Sequence, residues 1–240
     1  MNFRINISFN IKSIMNFYIF SLGCKVNSYE SAAISAFFSS HGWKLDKDKP
    51  DLIVINTCSI THVADQKSRQ HIRKFKRNFP NAVVAVMGCY SQGNVDEIIN
   101  TTEADIIIGT SNRDKLYDLV NTFIKKHERM IMVDNNPRSF NYEELGVTNL
   151  SENVRAYLKI QDGCDNFCSY CIVPYRRGKS RSRALEDVLK EAKDLVNKGY
   201  KEIVLTGIHV GGYGKDIGTS FSELVKLLLD IPNLYRLRIS

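Results

Sequence analysis

Asp51-Leu52-Ile53-Val54-Ile55-Asn56-Thr57-Cys58 decides the fold. The apolar run is unbroken from Leu52 to Ile55 and ends in two polar residues and a cysteine. A strand with one wet face alternates apolar and polar side chains. An unbroken short run belongs to a strand covered on both faces, as in a parallel sheet packed between helices. Matching runs stand at Phe17–Leu22, Ala82–Met87, Asp105–Ile108 and Met130–Val133, and Leu52–Asn56 is the second of the five. Helical stretches near Ser28–Ser40, Val63–Asn78, Val95–Asn100 and Arg113–Lys126 separate them. Strands alternating with helices predict a small doubly wound α/β domain over residues 15–133.

Cys24, Cys58 and Cys89 each fall one or two residues past the end of successive predicted strands. Folds of this kind bind ligands outside the carboxyl ends of their strands. Three cysteines from three crossovers therefore meet at one edge of the sheet, which reads as a three-thiol cluster site. The plainer alternative is three separate core cysteines, since cysteine is often buried.

The other three cysteines share one loop, Gly163-Cys164-Asp165-Asn166-Phe167-Cys168-Ser169-Tyr170-Cys171. Three thiolates at C-x3-C-x2-C can hold three irons of a 4Fe-4S cube and leave the fourth iron open to a cofactor or substrate. A cluster that only carries electrons normally closes all four corners. Structural zinc usually takes paired C-x2-C elements and a fourth ligand, for which His209 is a distant candidate. A disulfide leaves an odd thiol over, and nothing else in the chain looks secreted. The six cysteines of the 240-residue chain divide into two sets of three with none spare.

Around this loop the sequence predicts a linker or short hairpin over 134–153 and a strand at Arg155–Gln161. A helix over Ala184–Lys198, a strand at Glu202–Thr206, a glycine-rich loop, a helix from the Ser220 capping box to Asp230 and a strand at Leu234–Ile239 follow. This βαβαβ run supplies three strands, whereas a barrel or partial barrel of such units takes about six. The expected chain is the front of a longer protein or half of a split one. Residues 1–14 mix charged, amide and apolar residues, and read as a tail or a wrongly assigned start.

The composition, 43% hydrophobic and 25% charged, is that of a globular protein, and the formal net charge of +7 favours an anionic partner. No apolar run approaches the roughly 20 residues needed to span a membrane, so no membrane partner is expected and the expected location is cytoplasmic. Positive charge concentrates at Lys67, Arg69, Arg73, Lys74, Lys76 and Arg77, and again at Arg176, Arg177, Lys179, Arg181 and Arg183. Both segments lie next to an expected cluster site, where bound RNA needs phosphate contacts. A solvated helix face is the ordinary alternative for the first. Five basic residues close together in the second repel one another without an anion. Trp43 and the Phe37-Phe38 pair read as core, and His209 as structural.

The cysteine loop, with Tyr170 just before its last cysteine, resembles the signature of the radical S-adenosylmethionine enzymes. Leu22-Gly23-Cys24-Lys25-Val26-Asn27-Ser28-Tyr29-Glu30-Ser31, Asn56-Thr57-Cys58, Met87-Gly88-Cys89-Tyr90 and Lys159-Ile160-Gln161-Asp162-Gly163-Cys164 resemble the methylthiotransferase family within it. So does the stretch from Cys164 through Arg183. Leu-Gly-Cys-Lys-Val-Asn resembles the branch that acts on N6-threonylcarbamoyladenosine beside the tRNA anticodon. The isopentenyladenosine branch typically has Gln-Met in place of Lys25-Val26, and a third branch acts on a ribosomal protein.

The resemblance implies a doubly wound domain followed by the first half of a radical S-adenosylmethionine partial (βα) barrel over 154–240. It implies two 4Fe-4S clusters, on Cys164, Cys168 and Cys171 and on Cys24, Cys58 and Cys89, with S-adenosyl-L-methionine as cofactor. The first cluster would cleave the cofactor to a radical that takes hydrogen from C2 of the target adenine, and the second would carry the sulfur to be inserted. Such C–H chemistry belongs to the cofactor, and the protein supplies position. Tyr170 would lie near the adenine of the cofactor and Gly207 near its methionine, where a tight backbone approach explains a glycine. Expected partners are tRNA, an electron donor such as a flavodoxin or ferredoxin, and a separate C-terminal half. Alone, the 240-residue chain is expected to have little or no activity; a truncated chain that binds clusters and RNA without turnover is the non-enzymatic alternative.

Overall fold

In the computed structural model, residues 15–146 and 155–240 are described. The tail expected over 1–14 and the last residues of the expected linker lie outside them. The first half of the chain runs β1 (Asn16–Ser21), α1 (Lys25–Ser40), β2 (Lys44–Leu45), β3 (Leu52–Thr57), α2 (His62–Asn78), β4 (Val83–Gly88), α3 (Cys89–Gly93), α4 (Val95–Thr101), β5 (Ile106–Ile108), α5 (Leu116–Lys126) and β6 (Met130–Met132). The sheet order is β2-β1-β3-β4-β5-β6, and every pairing is parallel.

Every residue of β3 and β4 is buried, which is why their sequences do not alternate. Because side chains alternate across a strand, Leu52 and Val54 enter one core with Phe17, Ile34 and Phe38, while Ile53 and Ile55 enter the other with Ile72, Val84 and Tyr90. Thr61 starts α2 by accepting a hydrogen bond from the Ala64 backbone N–H. Trp43 and Phe38 are buried as expected, but Phe37 is 37% exposed and stacks at the rim against His41 and Tyr117.

The second half runs β7 (Arg155–Lys159), β8 (Gln161–Asp162), α6 (Val173–Arg177), β9 (Arg181–Ser182), α7 (Leu185–Asn197), β10 (Glu202–Thr206), α8 (Phe221–Leu229) and β11 (Arg236–Ile239). β7, β10 and β11 form a parallel sheet in the order β11-β10-β7, and β8 pairs antiparallel with β9. Leu158, Ile160, Ile203 and Leu205 pack under Val188, Ala192 and Leu195 of α7 and Leu224 and Leu228 of α8. At Ser220 only one side of the expected capping box forms. Its hydroxyl accepts from the Glu223 N–H, while the Glu223 carboxylate takes the Thr219 hydroxyl instead. β11 is the edge of its sheet, and Ile239 there is 59% exposed.

The two sheets share α1, which packs on β1 and on β7. Phe38, Ile34 and Ala33 are buried along it, and Asn27, Tyr29 and Glu30 aim polar atoms at the second half of the chain.

Candidate functional site

The carboxyl ends of β1, β3 and β4 carry Cys24, Cys58 and Cys89, which the topology makes neighbours because these strands are adjacent in the sheet. Gly23 shows how close they lie. Its φ is +104°, a left-handed conformation, and a Cβ there would stand 2.8 Å from Cys58 Cβ and 3.0 Å from its Sγ. Cys24 Sγ lies 3.6 Å from Asn27 Oδ1, and Asn27 Nδ2 is fixed by donating to the Leu22 and Thr57 carbonyls. Burial raises the pKa of the Cys58 thiol, and the nearby Cys24 adds to that rise. Burial also raises Cys89, but Arg177 works against it by charge and by a 3.2 Å N–H···S bond. Three cysteines at adjacent strand ends, one of them with a fixed cation against its sulfur, are the donor type of a thiophilic metal centre, though their side chains are not drawn in around one point.

The loop of Cys164, Cys168 and Cys171 starts where β8 ends. Gly163, at φ +67°, sets its entry: a Cβ there would stand 1.9 Å from the Lys179 carbonyl oxygen. Asp162 Oδ1 accepts the Gly163 N–H and Gly178 O accepts the Cys164 N–H, so the loop base is pinned to α6. Beyond that point the loop opens outward. Cys164 is buried, Cys171 half-buried, Cys168 exposed, and Tyr170 is 89% exposed. Among the described residues no group of three or more His, Cys, Asp or Glu side chains is drawn in around one point. The loop presents soft donors outward and leaves Tyr170 free to meet a ligand.

Gly207, just past β10, packs on Gln161, where a Cβ would meet the backbone oxygen at 3.0 Å. Gln161 Oε1 accepts the Ile208 and His209 N–H groups at 3.0 and 2.8 Å, so this loop is ordered from β8. His209 is exposed, and among the described hydrogen bonds its link to the cysteine loop is its backbone N–H on Gln161, which in turn donates to the Gly163 carbonyl.

Three of the five residues expected to contact RNA need correction. Arg177, Arg181 and Arg183 are 1%, 5% and 3% exposed, and their anions are protein carboxylates. Arg177 pairs with Glu30 and Asp162, Arg181 with Asp162, and Arg183 with Glu144 and Glu191. Only Lys179 is exposed and Arg176 half-buried. The α2 segment is corrected in part. At about 1.5 Å per residue the helix carries its basic end away from Cys58. Arg73, Lys76 and Arg77 line a depression of about 630 Å³ with Thr101 and Thr102, at the opposite edge of the sheet.

Sequence reasoning missed the buried charge cluster between the halves. Glu30 Oε1 accepts from Arg113 at 3.0 Å, Lys159 at 2.8 Å and Arg177 at 2.9 Å. Lys159 also bonds Asp162, and Arg113 bonds Glu143. Burial by itself raises the Glu30 and Asp162 carboxyls, and the surrounding cations overcome it and hold both below the usual carboxylate range. Beside it, Tyr29 donates to Glu191 at 2.9 Å, and burial pushes this tyrosine far up. No local signal marks it, because Glu30 and its cations are 83 to 147 residues apart in sequence.

Comparison with known proteins divides the chain in the same place. The family described as "Uncharacterized protein family UPF0004" matches residues 16–109, and the Radical SAM superfamily matches residues 158–239. The threonylcarbamoyladenosine tRNA methylthiotransferase MtaB of Bacillus subtilis (strain 168) is 43% identical over 224 residues, covering 92% of this chain and 50% of that protein. MtaB of Aquifex aeolicus (strain VF5) is 34% identical, covering 92% and 54%. The tRNA-2-methylthio-N(6)-dimethylallyladenosine synthase of Carboxydothermus hydrogenoformans is 36% identical, covering 93% and 52%. The chain thus spans about half the length of the curated relatives it matches. In structure it is similar to the radical S-adenosylmethionine methyltransferase TsrM of Kitasatospora setae, with a TM-score of 0.60 at 14% identity over 94% of this chain and 54% of that one. That likeness concerns the fold. Among the described residues, no helix is long and apolar enough to cross a membrane.

Proposed function

We propose that this chain, whose two halves match UPF0004 and the Radical SAM superfamily and whose relatives are tRNA methylthiotransferases, is part of a radical S-adenosylmethionine methylthiotransferase with a role in tRNA methylthiolation, on N6-threonylcarbamoyladenosine next to the anticodon. The observation that carries the reading is the pair of three-cysteine sets, one at the ends of adjacent parallel strands and one on the loop after β8, joined through Arg177. The family implies S-adenosylmethionine and a 4Fe-4S cluster. Cys164, Cys168 and Cys171 would hold that cluster, and Cys24, Cys58 and Cys89 would hold a second one. When bound, these groups supply the one-electron and sulfur-transfer chemistry.

The residues of the chain supply position. Gly163 and Gly178 anchor the Cys164 end of the loop, Tyr170 would offer an aromatic face to the adenine of the cofactor, and Gly207, packed on Gln161, would lie near its methionine. Gln161 holds the Gly207 loop by its backbone N–H groups. Residues 15–133 form the unit of the second cluster and 154–240 the radical unit. tRNA, a low-potential electron donor and a further length of barrel complete the working assembly, which acts in the cytoplasm. Lys179, Arg176 and, near the Cys58 end of α2, the exposed Lys67 remain the phosphate contacts. The dimethylallyladenosine reading rests on the 36% identical relative and differs only in substrate.

The test is anaerobic reconstitution followed by iron and sulfide quantification. About eight irons in the unchanged chain are expected to fall to about four in each triple-Ala variant, one at Cys24, Cys58 and Cys89 and one at Cys164, Cys168 and Cys171. Four irons lost wholly with the second triple would remove the strand-end site. Zinc without iron would remove the reading entirely. With a supplied C-terminal half, mass spectrometry of digested tRNA then separates the two adenosine substrates.

A further inference from the structure

We propose that Arg177 is a positioning residue that raises the electron affinity of the Cys24, Cys58 and Cys89 site. This rests on the reading of that site as a cluster site. Arg177 belongs to the other half of the chain, at the end of α6, and is 1% exposed. All five of its N–H donors are committed. Nε donates to Cys89 Sγ at 3.2 Å, Nη1 to Glu30 Oε1 at 2.9 Å and Asp162 Oδ1 at 3.1 Å, and Nη2 to Asn27 Oδ1 at 2.9 Å and Glu30 Oε2 at 3.2 Å. The guanidinium is therefore locked by two carboxylates and an amide with its Nε–H aimed at sulfur. A lysine cannot reproduce that fork.

Donation of an N–H to a ligating sulfur, from a group that is also a fixed positive charge, stabilises the more electron-rich state of the metal centre. Burial alone disfavours the charge on Arg177, but Cys89, Glu30 and Asp162 together hold it firmly protonated. Two further contacts make the arrangement more than a salt bridge that happens to pass a cysteine. Asn27, which Nη2 orients, is the same residue that faces Cys24 Sγ. Asp162, which Nη1 meets, accepts the Gly163 N–H at the foot of the second cysteine loop. One side chain thus touches the supports of both cysteine sets, and only the strand-end set receives its N–H on sulfur.

The test uses the full chain carrying Cys164→Ala, Cys168→Ala and Cys171→Ala, reconstituted anaerobically so that only the strand-end cysteines remain. The reduced fraction is read by electron paramagnetic resonance at a series of poised potentials. Arg177→Lys is expected to lower the reduced-to-oxidised ratio at fixed potential about tenfold, which is about 59 mV for a one-electron couple. The pair Arg177→Gln and Glu30→Gln removes a buried cation and a buried carboxylate together, and is expected to lower the ratio similarly while circular dichroism stays unchanged. Arg113→Lys, which alters a partner of Glu30 that has no bond to cysteine, is expected to leave it within about twofold. An unchanged ratio in both Arg177 variants, with four irons held, overturns the proposal and leaves the cluster reading standing. Loss of the iron or of the fold in both variants assigns Arg177 to structure and overturns it as well. A background chain that holds no iron overturns both readings.

Discussion

Replacing Glu30 with Gln removes a carboxylate that the buried cations Arg113, Lys159 and Arg177 share. Glu30 is fully buried and meets Arg113, Lys159 and Arg177 at 2.8–3.0 Å through a single oxygen. Around it, the cations Arg113, Lys159, Arg177 and Arg181 face the carboxylates Glu30, Asp162 and Glu143. Gln accepts fewer of these bonds, turns N–H donors toward guanidinium groups, and leaves four cations against two carboxylates. Breaking a buried pair on one side costs about 3–5 kcal/mol, because the remaining charge stays buried and uncompensated. For a chain of this size that is a fall in melting temperature of about 6–20 °C. The exposed pair Lys115 and Asp114, 54% and 53% exposed, is the internal comparison, and Asp114→Asn is expected to cost no more than about 1 kcal/mol. Urea unfolding followed by circular dichroism at pH 7 measures both, with an unchanged slope showing that the denatured state is the same. A Glu30→Gln loss no larger than that of Asp114→Asn would refute the reasoning, because it would mean that the cluster contributes no net attraction between the halves.

The same cluster sets an acid limit. Glu30 and Asp162 have folded pKa values below the usual carboxylate range, so their contribution is fully present above about pH 5 and is lost as pH falls through those lower values; the urea midpoint should drop between pH 5 and 3 and drop less in Glu30→Gln. At the alkaline end Tyr213, pushed up to about 12 by burial, favours the folded state below about pH 10 and ceases to as pH rises toward 12, which a melting series in Tyr213→Phe checks. Gly163→Ala forces a side chain onto the Lys179 carbonyl at a left-handed φ, and is expected to cost about 1–3 kcal/mol and to empty the Cys164 site of iron before the strand-end site. Ser220→Ala removes the cap of α8 and should cost about 1 kcal/mol with no change in iron content.

The sheet of the first half was legible because its signals are local. Leu52 to Ile55 and Val83 to Val86 are apolar without interruption, and the helix between them, α2, carries its own cap at Thr61. The cysteines at the strand ends followed from that register. β2 escaped because two exposed residues, Lys44 and Leu45, carry no pattern. α6 escaped because a five-residue turn of helix opening on Val173-Pro174 inside a basic segment has no amphipathic period, although proline suits a first helical turn. The buried arginines escaped for a different reason. Charge reads as surface until its partner is known, and Glu30 is 147 residues away from Arg177. No window along the chain contains both. The same separation turned a plausible phosphate site into an internal ion cluster, since the anion that relieves Arg177, Arg181 and Arg183 is contributed by other segments.

The sharing of α1 between two sheets also imposes a timetable. Its sheet-facing side can pack as soon as β3 and β4 exist, but Glu30 must wait for Arg113, Lys159 and Arg177, which lie 83, 129 and 147 residues further on. Arg177 also follows Cys89 by 88 residues, and at about 5–20 residues per second of synthesis that interval is roughly 4–18 s. Through it, the cysteines at the ends of β1, β3 and β4 are already present while the arginine that will donate to Cys89 has yet to leave the ribosome. The nascent chain therefore passes through a stage in which its first three cysteines stand at adjacent strand ends and are still open to solvent on the side where α6 later packs.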